Sequence, residues 1–189
     1  MSHIYIISAP SGAGKSSLVA AITQIDPLVS VSISHTTRPP RDGEQSGREY
    51  HFVTREAFQI LKEESAFLEW AEVYGYFYGT SWQSLQSPLN AQQDVILEID
   101  WQGAQQVKKR YPESISVFIR PPSLESLQDR LEKRGKDSPE VIQKRLKGAT
   151  EELSHAHEFD YVIINENFDE AVADLLAIIR AQRCHQSPP

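Results

Sequence analysis

A glycine-rich segment near the amino terminus ends in a lysine and two serines. Its residues are Ala9, Pro10, Ser11, Gly12, Ala13, Gly14, Lys15, Ser16 and Ser17. The segment matches the phosphate-binding pattern G-x-x-x-x-G-K-[ST] at every defined position except the first, where Ala9 replaces glycine. We expect backbone N–H groups to cradle a polyphosphate, Lys15 to reach its terminal groups and the Ser16 hydroxyl to bind Mg²⁺. The alternative is a plain turn between a strand and a helix.

A second group of residues could bind an anion through side chains instead of the backbone. Arg38 and Arg41 lie three positions apart on a segment stiffened by two prolines, and paired guanidinium groups can clamp a phosphate. Tyr50 and Tyr78 could each donate a phenolic hydroxyl to the same anion. A solvated basic loop and ordinary core tyrosines are the alternatives.

A basic segment covers residues 127–148 and contains two glycines that could act as flexible joints. Its cationic residues are Arg130, Lys133, Arg134, Lys136, Lys144, Arg145 and Lys147. A pair of charged helices facing solvent is one interpretation, and a cationic lid over a phosphate site is the other.

The elements that position these residues alternate between strand and helix. Strands are predicted at 3–9, 28–34, 95–100, 116–119 and 160–165, and helices at 17–25, 102–109, 124–133, 139–153 and after residue 165. Within 28–34, apolar residues alternate with serines, which predicts that Ser30, Ser32 and Ser34 face solvent. The alternation of strands with helices along the chain predicts an α/β fold with a parallel sheet. Its ligands are expected beyond the carboxyl ends of the strands. Residues 35–81 break the pattern and are predicted to form an inserted subdomain.

The composition indicates one globular domain and limits the classes of partner. The chain has 189 residues, 40% of them hydrophobic and 24% charged. Its formal net charge of -7 argues against binding to nucleic acid or to an anionic membrane. One cysteine, Cys184, cannot form an internal disulfide, and no apolar run is long enough for a membrane span. We therefore expect a cytoplasmic protein; its oligomeric state is not predicted.

Five motifs, in this order, resemble the guanylate kinase family in its bacterial branch. They are SAPSGAGKSS, SHTTRPPR, FLEWAEV, YGTS and EIDWQGA, and the resemblance runs from about residue 3 to residue 183. It implies a P-loop nucleoside monophosphate kinase fold, in which a central parallel sheet flanked by helices carries a GMP-binding insert and a mobile helical lid. The implied boundaries are a core of about 1–33, 82–124 and 149–183, an insert of about 34–81, a lid of about 125–148 and a tail of 184–189.

The resemblance also implies a reaction and a set of site residues. The reaction is reversible transfer of the γ-phosphoryl group of ATP to GMP, with Mg²⁺, giving ADP and GDP in purine nucleotide metabolism. The implied ligands of the GMP phosphate are Arg38, Arg41, Tyr50 and Tyr78, with Glu44 supporting the arginines. The implied neighbours of the guanine are Ser34, Glu69, Thr80 and Asp100. On the ATP side the resemblance adds Arg134 and Arg145 over the phosphates and Asn165 near the adenine, and it makes Lys15, Arg38, Arg134 and Arg145 catalytic.

The chemistry of guanine agrees with this set, because N1–H and the exocyclic amino group suit carboxylate acceptors whereas O6 suits a hydroxyl. Taken alone, Glu69 would be a surface carboxylate, and Asp100, which ends an apolar strand, would be a metal-binding carboxylate. The resemblance favours the guanine role for Asp100, with nearby Glu98 as a group that could help hold Mg²⁺.

Three other functions are compatible with parts of the sequence. Guanylate kinase-like modules of scaffolding proteins bind protein partners, but they generally lack the intact Gly14-Lys15-Ser16 run. A nucleoside monophosphate kinase with a different acceptor would share the phosphate loop. A regulatory GTPase is disfavoured because the chain contains no Asn-Lys-x-Asp sequence.

Overall fold

The computed structural model describes residues 2–134 and 138–185, and of Arg134 it describes the backbone alone. The strands are β1 (Ile4–Ser8), β2 (Val29–Val31), β3 (His35–Thr36), β4 (His51–Phe52), β5 (Phe67–Val73), β6 (Tyr76–Ser81), β7 (Asp94–Glu98), β8 (Ile115–Arg120) and β9 (Tyr161–Ile164). The helices are α1 (Lys15–Ile25), α2 (Arg55–Glu63), α3 (Trp82–Asn90), α4 (Trp101–Arg110), α5 (Leu124–Arg134), α6 (Pro139–Ser154) and α7 (Phe168–Cys184), with a 3₁₀ turn at Ala156–Glu158.

The predicted parallel sheet is confirmed. Five strands pair in the order β2-β7-β1-β8-β9, and every pairing is parallel. The central strand β1 is buried on both faces, with Tyr5, Ile6 and Ile7 fully covered, as a continuous apolar run in a parallel sheet predicts. Helices α1 and α7 pack on one face of the sheet, and α3 and α4 pack on the other.

The strand order determines where a ligand can sit. Because β1 lies between β7 and β8, the loop after Ser8 emerges from the middle of the sheet, beside the end of β7. Ile7 pairs with Glu98, which places the last residue of β7 next to that loop. The carboxyl edge of the sheet therefore brings two polar segments together.

Two predictions about local structure are wrong. The predicted strand at 28–34 pairs only over Val29–Val31, and Ser32 and Ser34 are buried instead of facing solvent. The chain leaves the sheet after Val31 and crosses to a second sheet, so the alternation no longer reports the same two faces. Helix α3, which is capped by the Ser81 hydroxyl, has no counterpart among the predicted elements.

The region predicted as an insert forms a second, smaller sheet in the order β4-β3-β6-β5. Its largest part is the antiparallel β5–β6 hairpin, and helix α2, capped by Thr54, packs against it. Phe58 stacks on Phe67 and Phe77, with ring centroids 4.5 Å and 5.4 Å apart. This aromatic cluster gives the insert a core of its own.

Helices α5 and α6 form the region predicted as a lid. They share a small apolar cluster that includes Leu127, Leu131 and Ile142. At the carboxyl end of α6, His155 stacks on Trp101 with ring centroids 3.6 Å apart. Residues 135–137 of the predicted lid and residues 186–189 of the predicted tail lie outside the described residues, as does Met1. In the described parts of the chain, no helix has the length and apolar character that a bilayer crossing requires.

Candidate functional site

The glycine-rich segment forms a loop between β1 and α1. Gly12 and Gly14 both have φ of +96°, a conformation that glycine adopts without strain, whereas Ala9 has negative φ and is only 8% exposed. The Ala13 N–H donates to the Pro10 carbonyl at 3.0 Å, which tightens the turn. Helix α1 begins at Lys15, so its first N–H groups point into the space that the loop surrounds.

Three side chains from distant parts of the chain hold this loop. The Asn165 amide, 5% exposed, donates to the Ala13 carbonyl at 2.8 Å, and the Arg130 guanidinium donates to the Asn165 carbonyl at 2.7 Å. Arg145 of α6 donates to the Ser11 hydroxyl at 2.6 Å. The predicted residues Asn165 and Arg145 therefore both lie at the loop.

Ser16 and Glu98 form a small oxygen-rich group beside the loop. The Ser16 hydroxyl donates to the Glu98 carboxylate at 2.8 Å across the gap between α1 and the end of β7. Hydroxyl and carboxylate oxygens are ligands that Mg²⁺ accepts, and this ion commonly takes only one or two protein ligands and the rest from water and phosphate. Within residues 2–134 and 138–185 there is no cluster of three or more His, Cys, Asp or Glu side chains that could hold a metal by themselves. The pair fits an ion that arrives with a polyphosphate.

The predicted guanidinium pair is organised by a carboxylate. Arg38, 8% exposed, makes a two-pronged ion pair with Glu44, with N–O distances of 2.9 Å and 3.0 Å. The same carboxylate accepts the backbone N–H of Arg41 at 2.7 Å. Burial alone would lower the pKa of Arg38, but the Glu44 carboxylate outweighs it and raises that pKa. Arg38 is therefore held as a fixed cation.

Two tyrosines complete this group. The Arg38 guanidinium lies 5.6 Å from the centre of the Tyr50 ring, and the Tyr50 and Tyr78 rings meet edge to face with centroids 5.8 Å apart. Burial raises the pKa of Tyr50 to about 12, so its hydroxyl stays protonated and can donate a hydrogen bond. Tyr78 also interacts with the Arg38 guanidinium. Three of the four predicted phosphate ligands, Arg38, Tyr50 and Tyr78, thus lie together, and the fourth, Arg41, is held next to them by the bond from its backbone N–H to Glu44.

The predicted base-reading residues also meet. Glu69 of β5 is 3% exposed and accepts the Thr80 N–H at 2.8 Å, and the Thr80 hydroxyl lies 3.0 Å from the Ser34 hydroxyl. Burial raises the pKa of Glu69 to about 7, and the nearby Asp100 carboxylate adds to the rise. Two hydroxyls and an acidic side chain therefore line one wall.

Asp100 forms the next part of this wall. It caps helix α4 by accepting the Gly103 N–H at 2.9 Å, and burial raises its pKa. Gly103 has a second role, because a Cβ atom there would lie 2.5 Å from Glu69 Oε2. The absence of a side chain at Gly103 allows the carboxyl groups of Glu69 and Asp100 to approach each other. In the sequence, the isolated glycine inside a predicted helix was the signal that could have indicated such a close contact.

The phosphate loop and the second pocket face each other. The Lys15 ammonium lies close enough to Glu69 and Asp100 to oppose the rise in both carboxyl pKa values. From the other side, the Glu98 carboxylate contributes to the raised pKa of Tyr50. Groups at the carboxyl edge of the main sheet thus share one cleft with groups of the insert.

One predicted site residue is not placed by the structure, and one residue at the site was not predicted. The Arg134 side chain lies outside the described residues, so its predicted contact is not placed. Arg130, by contrast, was part of the predicted basic segment but not of the predicted site, and it holds both Asn165 and the loop. No sequence pattern distinguished Arg130 from the other basic residues around it.

The chain is similar to known proteins in sequence and in overall structure. The chain matches the family model described as guanylate kinase over residues 1–182. It is 54% identical to a guanylate kinase of Thiobacillus denitrificans over 95% of this chain and 86% of that protein, and 57% identical to one of Hahella chejuensis over 98% and 89%. Among solved structures, it resembles the crystal structure of a guanylate kinase from Anaplasma phagocytophilum with a TM-score of 0.79 and 34% identity, over 98% of this chain and 88% of that one.

Proposed function

Because the chain belongs to the guanylate kinase family and catalyses the ATP-dependent phosphorylation of GMP, we propose that the phosphate loop binds ATP and the pocket of the insert binds GMP. The observation that carries this assignment is the position of Lys15, which faces the acidic wall of the second pocket across one cleft. A donor phosphate at the loop and an acceptor phosphate at Arg38 would then meet between them.

On the donor side, the backbone N–H groups of the loop and Lys15 bind the ATP phosphates. Arg145 exchanges its contact with Ser11 for the terminal phosphates, and Arg134 joins it from the end of α5. Asn165 lies near the adenine while it supports the loop. Cations placed here stabilise the charge that develops on the group in transfer.

We assign Mg²⁺ to the space beside Ser16, with Glu98 as a neighbouring acceptor for it or for its water ligands. When bound, the ion neutralises phosphate charge and orients the donor. We assign Asp100 to guanine binding and not to the metal, since it already caps α4 and lies on the same wall as Glu69.

On the acceptor side, Arg38, Arg41, Tyr50 and Tyr78 bind the GMP phosphate, and Glu44 keeps Arg38 in place. The remaining wall recognises the base. Its carboxyl groups, Glu69 and Asp100, accept hydrogen bonds from the N1–H and amino groups of guanine, and its hydroxyls, Ser34 and Thr80, suit O6. Adenine would leave these groups unpaired, and sites of this kind reject such analogues by about 10⁴- to 10⁵-fold.

The chemistry requires no general base from the protein. The second pKa of a phosphate monoester is about 6, so GMP is largely a dianion at neutral pH. One of its oxygens forms a bond to the γ-phosphorus as the bond to the bridging oxygen of ADP breaks, and the electron pair stays with ADP. The protein contributes alignment of two polyanions, charge stabilisation by Lys15 and the arginines, and exclusion of competing water.

The boundaries and cellular setting belong to the same proposal. The second sheet supports an insert of about 34–81, and helices α5 and α6 support a lid of about 125–148, with α6 continuing beyond that boundary to Ser154. The net charge of -7 argues against nucleic acid as a partner, so the anionic substrates depend on the local cations Lys15, Arg38 and Arg145, and the lone cysteine supports the cytoplasm.

The test is ADP release with ATP and a panel of acceptors: GMP, AMP, dTMP and CMP. We expect GMP to be preferred by orders of magnitude, and Lys15→Ala to retain the fold but lose nearly all turnover. Equal use of AMP would contradict the base-reading wall. Normal turnover in Lys15→Ala would contradict the assignment of ATP to the loop, and ligand binding without ADP release would indicate a binding module.

A further inference from the structure

The tip of the β5–β6 hairpin touches helix α6 through Tyr74. The Tyr74 hydroxyl donates to the Glu152 carboxylate at 3.4 Å. Gly148, one turn earlier in α6, faces the same hydroxyl so closely that a Cβ atom there would overlap it. The Lys144 ammonium lies 5.9 Å from the centre of the Tyr74 ring.

Both sides of this contact use residues that are unfavourable in isolation. Tyr74 has φ of +52°, a left-handed backbone conformation that is unfavourable for a tyrosine. Gly148 lies inside a helix, where glycine is less favourable than alanine. The contact explains both choices, because the turn directs the Tyr74 ring toward α6 and Gly148 leaves room for it.

The elements that meet here each carry part of the site. Strands β5 and β6 hold Glu69 and Thr80, whereas α6 holds Arg145, which contacts the phosphate loop. Arg145, Gly148 and Glu152 recur at helical spacing, so they lie on one face of α6. Glu152 also lies within electrostatic reach of Lys15 and Asp100, which places it at the edge of the cleft.

We propose that Tyr74, Gly148 and Glu152 form a latch that holds the GMP-binding insert against helix α6, the helix that carries the end of the lid, with Tyr74 and Glu152 as positioning residues for phosphoryl transfer. The inference rests on the assignment of insert and lid in the proposed function. Through the latch, closing α6 over the ATP phosphates also fixes the hairpin that carries the guanine-binding wall. The latch therefore acts on turnover and on exclusion of water, without touching either substrate.

A double-variant cycle tests the contact. Tyr74→Phe removes one hydrogen bond and should lower kcat/KM for GMP by about 2- to 10-fold. Gly148→Ala should lower it by more than 10-fold, because the new methyl group displaces the Tyr74 hydroxyl. Adding Tyr74→Phe to Gly148→Ala should recover a large part of the activity lost in Gly148→Ala, since the overlapping oxygen is gone and the ring carbons, at 3.1 Å and 3.2 Å from the new methyl group, need to shift by only a few tenths of an ångström. The two losses multiplying in the double variant would overturn the latch.

Two further readouts separate a latch from a local packing defect. In Glu152→Ala, amide hydrogen exchange should become faster in residues 67–81, and ATP hydrolysis per GDP formed should rise because water enters an incompletely closed cleft. The matched control is Glu151→Ala, an exposed neighbour on α6, which should leave both readouts unchanged. Unchanged exchange and unchanged hydrolysis in Glu152→Ala would also overturn the latch. Failure of the unmodified protein to phosphorylate GMP would instead overturn the proposed function.

Discussion

The acidic side chain of Glu69 should destabilise the ligand-free protein as pH rises, and replacing it with glutamine should remove that effect. Burial raises the pKa of Glu69 from 4.5 to about 7. A carboxyl whose pKa is higher in the folded than in the unfolded protein stabilises the fold fully below the unfolded value. That stabilisation is lost as pH rises through about 7, because the ionised form prefers the unfolded chain.

The expected magnitude follows from the two pKa values. Raising the pKa from 4.5 to about 7 corresponds to about 3 kcal/mol, at 1.36 kcal/mol per unit. The glutamine of Glu69→Gln can still accept the Thr80 N–H and is never ionised. At pH 5, which is only half a unit above the unfolded value, the two proteins should therefore differ in stability by less than about 1 kcal/mol. At pH 8 the variant should be more stable by about 3 kcal/mol, or roughly 6–12 °C in Tm for a domain of this size.

The assay is thermal unfolding of both proteins, without nucleotide, at half-unit steps from pH 5 to pH 8. The difference between the two Tm values cancels the titration of groups that the substitution does not touch. Glu72→Gln is the matched control, because Glu72 is exposed on the same strand and should shift stability by no more than about 0.5 kcal/mol. A Tm difference that stays constant across this range would refute the argument, since it would mean that Glu69 ionises in the fold without cost.

Two more substitutions test the pockets separately. Gly14→Ala places a methyl group against the Asn165 amide at φ of +96°, and we expect kcat/KM for ATP to fall at least 100-fold. Gly47→Ala, at φ of +84° with open space around it, is the control: steady-state kinetics should show normal ATP use, and a similar loss there would assign the effect to the backbone alone. Glu44→Gln weakens the charge-assisted bonds that hold Arg38, which should raise KM for GMP by about 10- to 100-fold and leave KM for ATP unchanged. An equal rise in both KM values would contradict separate pockets.

Local sequence patterns predicted the parts of the molecule that local physics determines. The phosphate loop follows from Gly12, Gly14 and Lys15 between an apolar strand and a helix, and the structure has that arrangement. The parallel sheet follows from apolar strands that alternate with helices. The pairing of β3 and β4 in the second sheet did not follow, because each has only two residues and β3 pairs with strands that are distant in sequence.

The same limit applies to the site. The wall of the second pocket depends on Glu69, Gly103 and Asp100. Glu69 lies on strand β5, Gly103 lies in helix α4, and Asp100 is the N-cap residue of α4. Spacing along the chain carries no information about such a meeting, and only the resemblance to a family placed these carboxyl groups together. For Ser34 the local pattern gave a wrong prediction. The alternation of its neighbours predicted that it would be exposed, whereas it is buried and its hydroxyl is hydrogen-bonded to that of Thr80.

The stacking of His155 on Trp101 fixes the carboxyl end of α6, so the helix can rotate about that end. Arg145 lies ten residues from His155, or roughly 15 Å along the helix axis at 1.5 Å per residue. A rotation of α6 by about 10° about its end at His155 displaces Arg145 by roughly 3 Å. This displacement is comparable to the 2.6 Å length of the hydrogen bond from Arg145 to Ser11. A swing of this size is thus enough to separate the Arg145 guanidinium from the Ser11 hydroxyl, which is the movement that the proposed contact with the ATP phosphates requires.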